Sequence, residues 1–212
     1  MRSLLFLLPL LFLALPAEAQ LVVPLVTPDG RVGCVQGKTG IGRPAVWKAI
    51  ADPDGPNGWA LAETEADATD QRFPLCISEQ VNVRDFDVTL RFKPVSGTKE
   101  QVGGFMFRAQ SANDYYVVRV NARDNSVRLY RVEKGKRAQL GAKEAPVALG
   151  QWHSLRVTAS NDRIEVSLDG KPLFGATDRG LVQAGALGVW SQADSLTHYG
   201  SLLVAPPPST VR

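Results

Sequence analysis

Hydrophobic and polar residues alternate along most of this chain. In "DFDVTLRF", Phe86, Val88, Leu90 and Phe92 fall on one side of an extended segment, and Asp87, Thr89 and Arg91 fall on the other. That is the pattern of an antiparallel strand with one buried face. "RIEVSLDG" repeats it with Ile164, Val166 and Leu168 and ends at Asp169-Gly170, a strong signal for a tight hairpin. "QWHSLRVTAS" supplies another strand, with Leu155 and Val157 toward the core. Nothing sustains a helical 3.6-residue repeat, and turn residues recur every ~8–12 residues from about Trp47 to Val204, the spacing of a sandwich. The expected fold is all-β, an antiparallel two-sheet sandwich.

The boundaries follow from composition. The sandwich is expected over residues 46–204. The segment 20–45 is richer in Gly and Pro and predicts irregular structure with one or two edge strands. The end of the chain, 205–212, reads "APPPSTVR" and predicts an extended, disordered tail, because three successive prolines cannot join a sheet. Residues 1–19 have the three parts of a secretory signal peptide: Arg2, the apolar run Leu4 to Leu15, and a small-residue cleavage site ending at Ala19. The run is too short for a membrane span and contains Pro9. The expectation is an exported, periplasmic or secreted chain beginning near Gln20, without a lipidated cysteine at the cleavage point or a transmembrane segment in its mature part.

One stretch departs from plain amphipathicity. "GGFMFRAQSANDYYVVRVNARDNSVRLYRV", residues 103–132, keeps placing arginine among aromatics. A hairpin around "SAND" that opposes Phe105 to Val120 and Phe107 to Val118 buries those four residues, leaving Met106, Arg108, Tyr115, Val117 and Arg119 on the other face. A second hairpin around "ARDN" opposes Val120 to Val127 and Val118 to Leu129, adding Arg128 and Tyr130 to that face. Arg119 then stands directly across from Arg128, a like-charge pair that destabilises unless compensated. Asp87, Asp114, Asp124 and Glu165 are candidates within the protein. An oxygen-rich ligand is another, since guanidinium forks bind oxygens bidentately and tyrosine offers a flat stacking surface. Arg108, Tyr115, Arg119, Arg128 and Tyr130 are therefore the candidate ligand-binding residues. The competing reading is a solvated sheet face whose long stems cover apolar surface.

Charge and motifs narrow the function. The net charge is +3, and the signal segment removes one charge of each sign, which is too mild a field for a nucleic-acid binder. Cys34 and Cys76 are the only cysteines, so export allows one bridge, closing a loop of about 43 residues; two separately buried thiols are the alternative. With only His153 and His198 besides, a structural zinc site is not indicated. Trp47, Trp59 and Trp190 are candidate sugar platforms, but each fits core or rim packing better; Trp152 is expected to pack under a loop. Glu65, Asp67 and Asp70 follow the spacing of a jelly-roll glycosidase strand with aspartate in the last place, and their polar surroundings read as an acidic loop. Asp85 and Asp87 fall on one face two residues apart, where they could help bind a cation or answer Arg91; surface pairing fits them better. There is no GxSxG, and "GKTGIGRP", residues 37–44, lacks P-loop spacing. No catalytic residue is named.

The order "DFDVTLRFKP", "GGFMFRAQSANDYYVVRV", "GQWHSLRVTASNDRIEVSLDGKPLF", "GALGVW" and "SLLV" resembles the concanavalin A-like jelly roll. Within it the chain is similar to laminin G-like modules and to the bacterial 3-keto-disaccharide hydrolase domain. The resemblance implies two curved antiparallel sheets, a concave face often used for glycans, and in some members a calcium site at the rim; no cofactor is expected, with calcium the one candidate ion. Three functions follow as expectations: a non-catalytic carbohydrate-binding protein, an enzyme acting on 3-keto-glycosides, or an envelope domain that docks a protein partner.

Overall fold

The computed structural model describes residues 20–208; residues 1–19, where a signal segment is expected, and residues 209–212 lie outside it. Among the described residues there are fifteen strands: β1 (Leu21–Val23), β2 (Val35–Gly40), β3 (Trp47–Ala51), β4 (Trp59–Glu63), β5 (Arg72–Val83), β6 (Phe86–Ser96), β7 (Val102–Ser111), β8 (Asp114–Asn121), β9 (Ser126–Glu133), β10 (Lys136–Glu144), β11 (His153–Ser160), β12 (Arg163–Leu168), β13 (Lys171–Thr177), β14 (Gly185–Trp190) and β15 (Leu196–Ala205). The one helical element among the described residues is the 3-10 turn Pro56–Gly58.

The strands form two antiparallel sheets. One runs β13-β12-β11-β6-β15-β4-β3, with β1 added against β15; the other runs β10-β9-β8-β7-β14-β5-β2. Alternation decides what lies between them. Phe86, Val88, Leu90 and Phe92 of β6, Leu155 and Val157 of β11, and Ile164, Val166 and Leu168 of β12 face Phe105, Phe107, Val118, Val120, Val127 and Leu129 across a dry core. Gly103 of β7 lets the layers close, since a Cβ there would lie 2.4 Å from Phe92 Cδ2. The Asp169-Gly170 turn joins β12 to β13 with both residues at positive φ, 50° and 75°, as a two-residue hairpin requires.

Two cross-links tie the N-terminal segment and the sheet ends. Cys34 is bonded to Cys76 of β5 beside the β2–β5 ladder, spanning 42 residues of sequence. At one end of the sandwich Arg72 is fully buried and donates to both oxygens of Glu63, at 3.0 and 2.7 Å, and to the carbonyls of Arg43, Pro44 and Ala193. With Glu63 also buried, this pair is a fully hydrogen-bonded charge bridge between the sheets.

Candidate binding site

The seven-stranded sheet also buries side chains on its outer face. Phe73 and Leu75 of β5, Met106 of β7, Tyr115 and Val117 of β8, Tyr130 and Val132 of β9 and Trp190 of β14 form a second apolar cluster there. What covers them is the sheet itself. Arg137 on edge strand β10 lies over Phe73 near the opposite edge, and a Cβ at Gly135, in the β9–β10 turn, would sit 3.8 Å from Thr39 Cγ2 on edge strand β2. The two edges therefore curl toward each other, and this face is the concave one.

The closed end of the trough is held by side chains. The Thr39 hydroxyl donates to the Ala112 carbonyl in the β7–β8 turn, and the Tyr115 hydroxyl lies 3.1 Å from Thr39 Oγ1 and 3.1 Å from Trp190 Nε1, which donates to it. Burial, the main cause, pushes the Tyr115 hydroxyl pKa up. Phe73 stacks on Trp190 with centroids 5.2 Å apart and planes 14° from parallel.

The other end is polar. Arg119 and Arg128 stand opposite each other in the β8–β9 ladder, as the sequence predicts, and Val118 opposes Leu129. Arg119 donates to Gln192 Oε1 at 3.1 Å and to Asp124 Oδ2 at 3.4 Å, and Arg128 reaches the same Asp124 oxygen at 3.5 Å. Glu100 accepts from Asn121 at 2.8 Å and from Gln192 at 2.9 Å, with Arg119 at 3.9 Å. Tyr130 first, then Asp124 and Glu100, raise the Arg128 guanidinium against partial burial. Arg119 is 5% exposed, and its Nε is buried with no acceptor among the described residues. Arg128 and Asp124 remain open to solvent, so this end is the mouth of the trough.

Several expectations need correction. Phe105 opposes Val118 and Phe107 opposes Tyr116, a register two residues from the one expected, with the same faces kept. The difference arises at a bulge between Phe107 and Ser111, where Arg108 takes φ 48°. Arg108 leaves the concave face as a result. It is buried at the rim, donating to the carbonyls of Arg84, Leu181 and Asn161 and to Asp85. Tyr115 and Tyr130 are on the expected face but are 1% and 9% exposed, so they are packed under the curled edges and offer no open stacking surface.

The remaining candidates sit in structural roles. Asp67 accepts from the Arg43 amide and from Thr69, which hold its carboxyl down to about 2. Glu65 pairs with Arg43 and Asp70 with Lys99. Asp87 is clasped by Arg156, and Arg91 lies over Trp152 instead. Trp47 and Trp190 are buried, and Trp59 packs against Gly30. His198 and Lys93 both bind Asp52, and His153 binds Asp169. Among the described residues no three His, Cys, Asp or Glu side chains are grouped to hold a metal ion. No helix among them is long and apolar enough to cross a membrane.

Three participants carried no signal in sequence. Glu100 and Gln192 come from loops before β7 and after β14, and Arg137 from "KGKRAQL", which reads as a charged turn. The β14–β7–β8 ladder brings Glu100 and Gln192 to Arg119, and the charge of Arg137 is felt there from edge strand β10.

Among solved structures, the chain is similar to the carbohydrate-binding module CBM66 from Bacillus subtilis, at 19% identity and TM-score 0.63, covering 80% of this chain and 95% of that one. It is similar to domain 4 of AbnA, a GH43 extracellular arabinanase from Geobacillus stearothermophilus in complex with arabinotriose (16%, 0.58, 90% and 94%). A third is the exoplasmic/lumenal domain of VIP36 in its Ca2+/Man3GlcNAc-bound form (10%, 0.57, 91% and 90%). Identities this low carry the fold alone, a jelly-roll sandwich of the concanavalin A-like kind. No curated protein matches. The 3-keto-alpha-glucoside-1,2-lyase-like domain matches residues 40–194, well over half of the sequence, and the chain belongs to that family.

Proposed function

We propose that this protein is an exported, non-catalytic saccharide-binding sandwich whose ligand meets the mouth of the concave face at Arg119, Arg128, Arg137 and the edge of Tyr130. The observation that carries the reading is the buried Arg119 guanidinium, which keeps an unpartnered Nε beside the exposed Arg128. A buried donor without an acceptor is costly, and a hydroxyl or carboxylate oxygen of a ligand would satisfy it. The Cys34–Cys76 bridge supports export, because such bonds persist in oxidising compartments.

Family membership favours a second reading, turnover of a 3-keto-glycoside. A 1,2-lyase needs a base for the C2 proton and an acid for the departing oxygen. At the mouth, Glu100 has both oxygens engaged by amides, and Asp124 is held by Ser126 on one oxygen and by two arginines on the other. Both carboxylates are engaged as acceptors from amides, a hydroxyl or guanidinium groups, which favours binding over catalysis.

The test is a thermal-shift panel on residues 20–212 with neutral, acidic and 3-keto-sugars, since a ligand of the native state raises the melting temperature. A rise with a saccharide, lost in Arg128→Ala, is expected. No rise with any sugar would replace this function by docking of a protein partner, and turnover of a 3-keto-glycoside would make the protein an enzyme.

A further inference from the structure

Among the described residues, Arg137 is a cation with no carboxylate within 4.0 Å. Its guanidinium carbon lies 4.2 Å from the Phe73 ring centroid and 5.3 Å from that of Tyr130. Among the described arginines, only Arg91, Arg123 and Arg137 lack a carboxylate within 4.0 Å. Arg91 lies over Trp152, and Arg123 donates to the Thr98 carbonyl. Arg137 has only rings beneath it, and it is exposed. Burial of part of the guanidinium lowers its pKa; Tyr130 opposes this, and the charge of Arg119 adds to it.

Its neighbours sharpen the imbalance. Arg119 and Arg128 are answered by Glu100 and Asp124, with Asp124 shared by both, and Arg137 adds a third positive charge near Arg119 on the same face, with no carboxylate within 4.0 Å among the described residues. One positive charge on this face is left over. A guanidinium lying against aromatic rings keeps its N–H groups free to bind oxygen, and its fork matches the two oxygens of a carboxylate. Arg119 Nε adds a buried donor with no acceptor.

We infer that the saccharide taken by this site is anionic, a sugar bearing a carboxylate or another oxyanion, and that Arg137 is the residue that reads its charge. The inference rests on the saccharide-binding function proposed above. Arg137 sits at an exposed edge, so it can be changed without opening the core between the sheets.

The experiment is calorimetric titration of residues 20–212 with trigalacturonate, with its methyl ester, and with a sulfated neutral trisaccharide, alongside the unsulfated parent. The ester keeps the sugar and removes the charge. The acid is expected to bind roughly tenfold more tightly than the ester, the effect of one charge-assisted bidentate contact, and to weaken with salt. Arg137→Gln is expected to erase that difference, and Arg137→Lys to restore part of it. A preference for the sulfated sugar, lost in Arg137→Gln, supports the inference and identifies sulfate as the oxyanion. Equal binding of charged and uncharged partners, or a preference that survives Arg137→Gln, overturns it and leaves the saccharide-binding function standing. Absence of binding by every saccharide overturns both.

Discussion

Arg119 and Arg128 face each other across the β8–β9 ladder and share one carboxylate oxygen, Asp124 Oδ2, at 3.4 and 3.5 Å. Asp124 is thus the charge that lets two arginines stand opposite each other. Asp124→Asn is expected to cost about 1–2 kcal/mol in urea unfolding, because it leaves the guanidinium pair against a neutral amide. Adding Arg128→Ala should recover part of that loss. Additive penalties would show that the two arginines are not coupled through Asp124.

The Arg72–Glu63 pair should behave differently, because both groups are buried. Glu63→Gln leaves the Arg72 charge with only the more distant Asp67, 3.9 Å from its Nε, and breaking a buried pair from one side costs about 3–5 kcal/mol. Denaturant unfolding should show a loss of that order with an unchanged slope. A loss below about 1 kcal/mol would mean that the four carbonyls accepting from Arg72 suffice without the carboxylate.

Much of the fold was legible because one-sided burial forces alternation. Phe86 to Phe92 and Ile164 to Leu168 announced their inward faces, and Asp169-Gly170 announced its hairpin. The Arg119–Arg128 pairing was legible too, since the turn after Asn121 sets the β8–β9 register. The bulge at Arg108 was not: nothing in "FMFRAQS" marks a positive φ at arginine, and that bend sent Arg108 to the rim and moved the register by two. The burial of Tyr115 and Tyr130 was not legible, for a non-local reason. Strand parity says which face a residue takes, but the curl that brings Arg137 over Phe73 depends on edges more than 60 residues apart in sequence.

The Cys34–Cys76 bridge fixes β2 to β5, and β2 supplies Thr39 to the closed end of the trough. Replacing both cysteines by serine is expected to lower stability by roughly 4 kcal/mol on loop entropy. It should also loosen the β2 edge, seen as faster amide exchange at Thr39 and Tyr115. Unchanged exchange there would separate the bridge from the integrity of the trough.

Acid should unfold the protein in a defined window. Burial pushes Asp52 and Asp194 up, but hydrogen bonds outweigh it: Lys93 and His198 carry Asp52 down to about 2, and Thr98 with the amides of Lys99 and Glu100 does the same for Asp194. With folded values below the ordinary carboxylate value of 3.8, both contributions are complete above about pH 4 and are lost as pH falls toward 2. Unfolding free energy should drop across that interval. Asp194→Asn should flatten the drop; an identical acid profile would contradict the assignment.

The most direct measurement is the arginine Nε–H region of a nitrogen–proton NMR spectrum as a saccharide is added. Arg119, Arg128 and Arg137 should shift together on titration, Arg119 most because its Nε gains its first acceptor, while buried Arg72 and Arg108 stay in place. Saturable binding with those three unmoved, or with shifts confined to the eight-stranded sheet, would contradict a site at the mouth of the concave face.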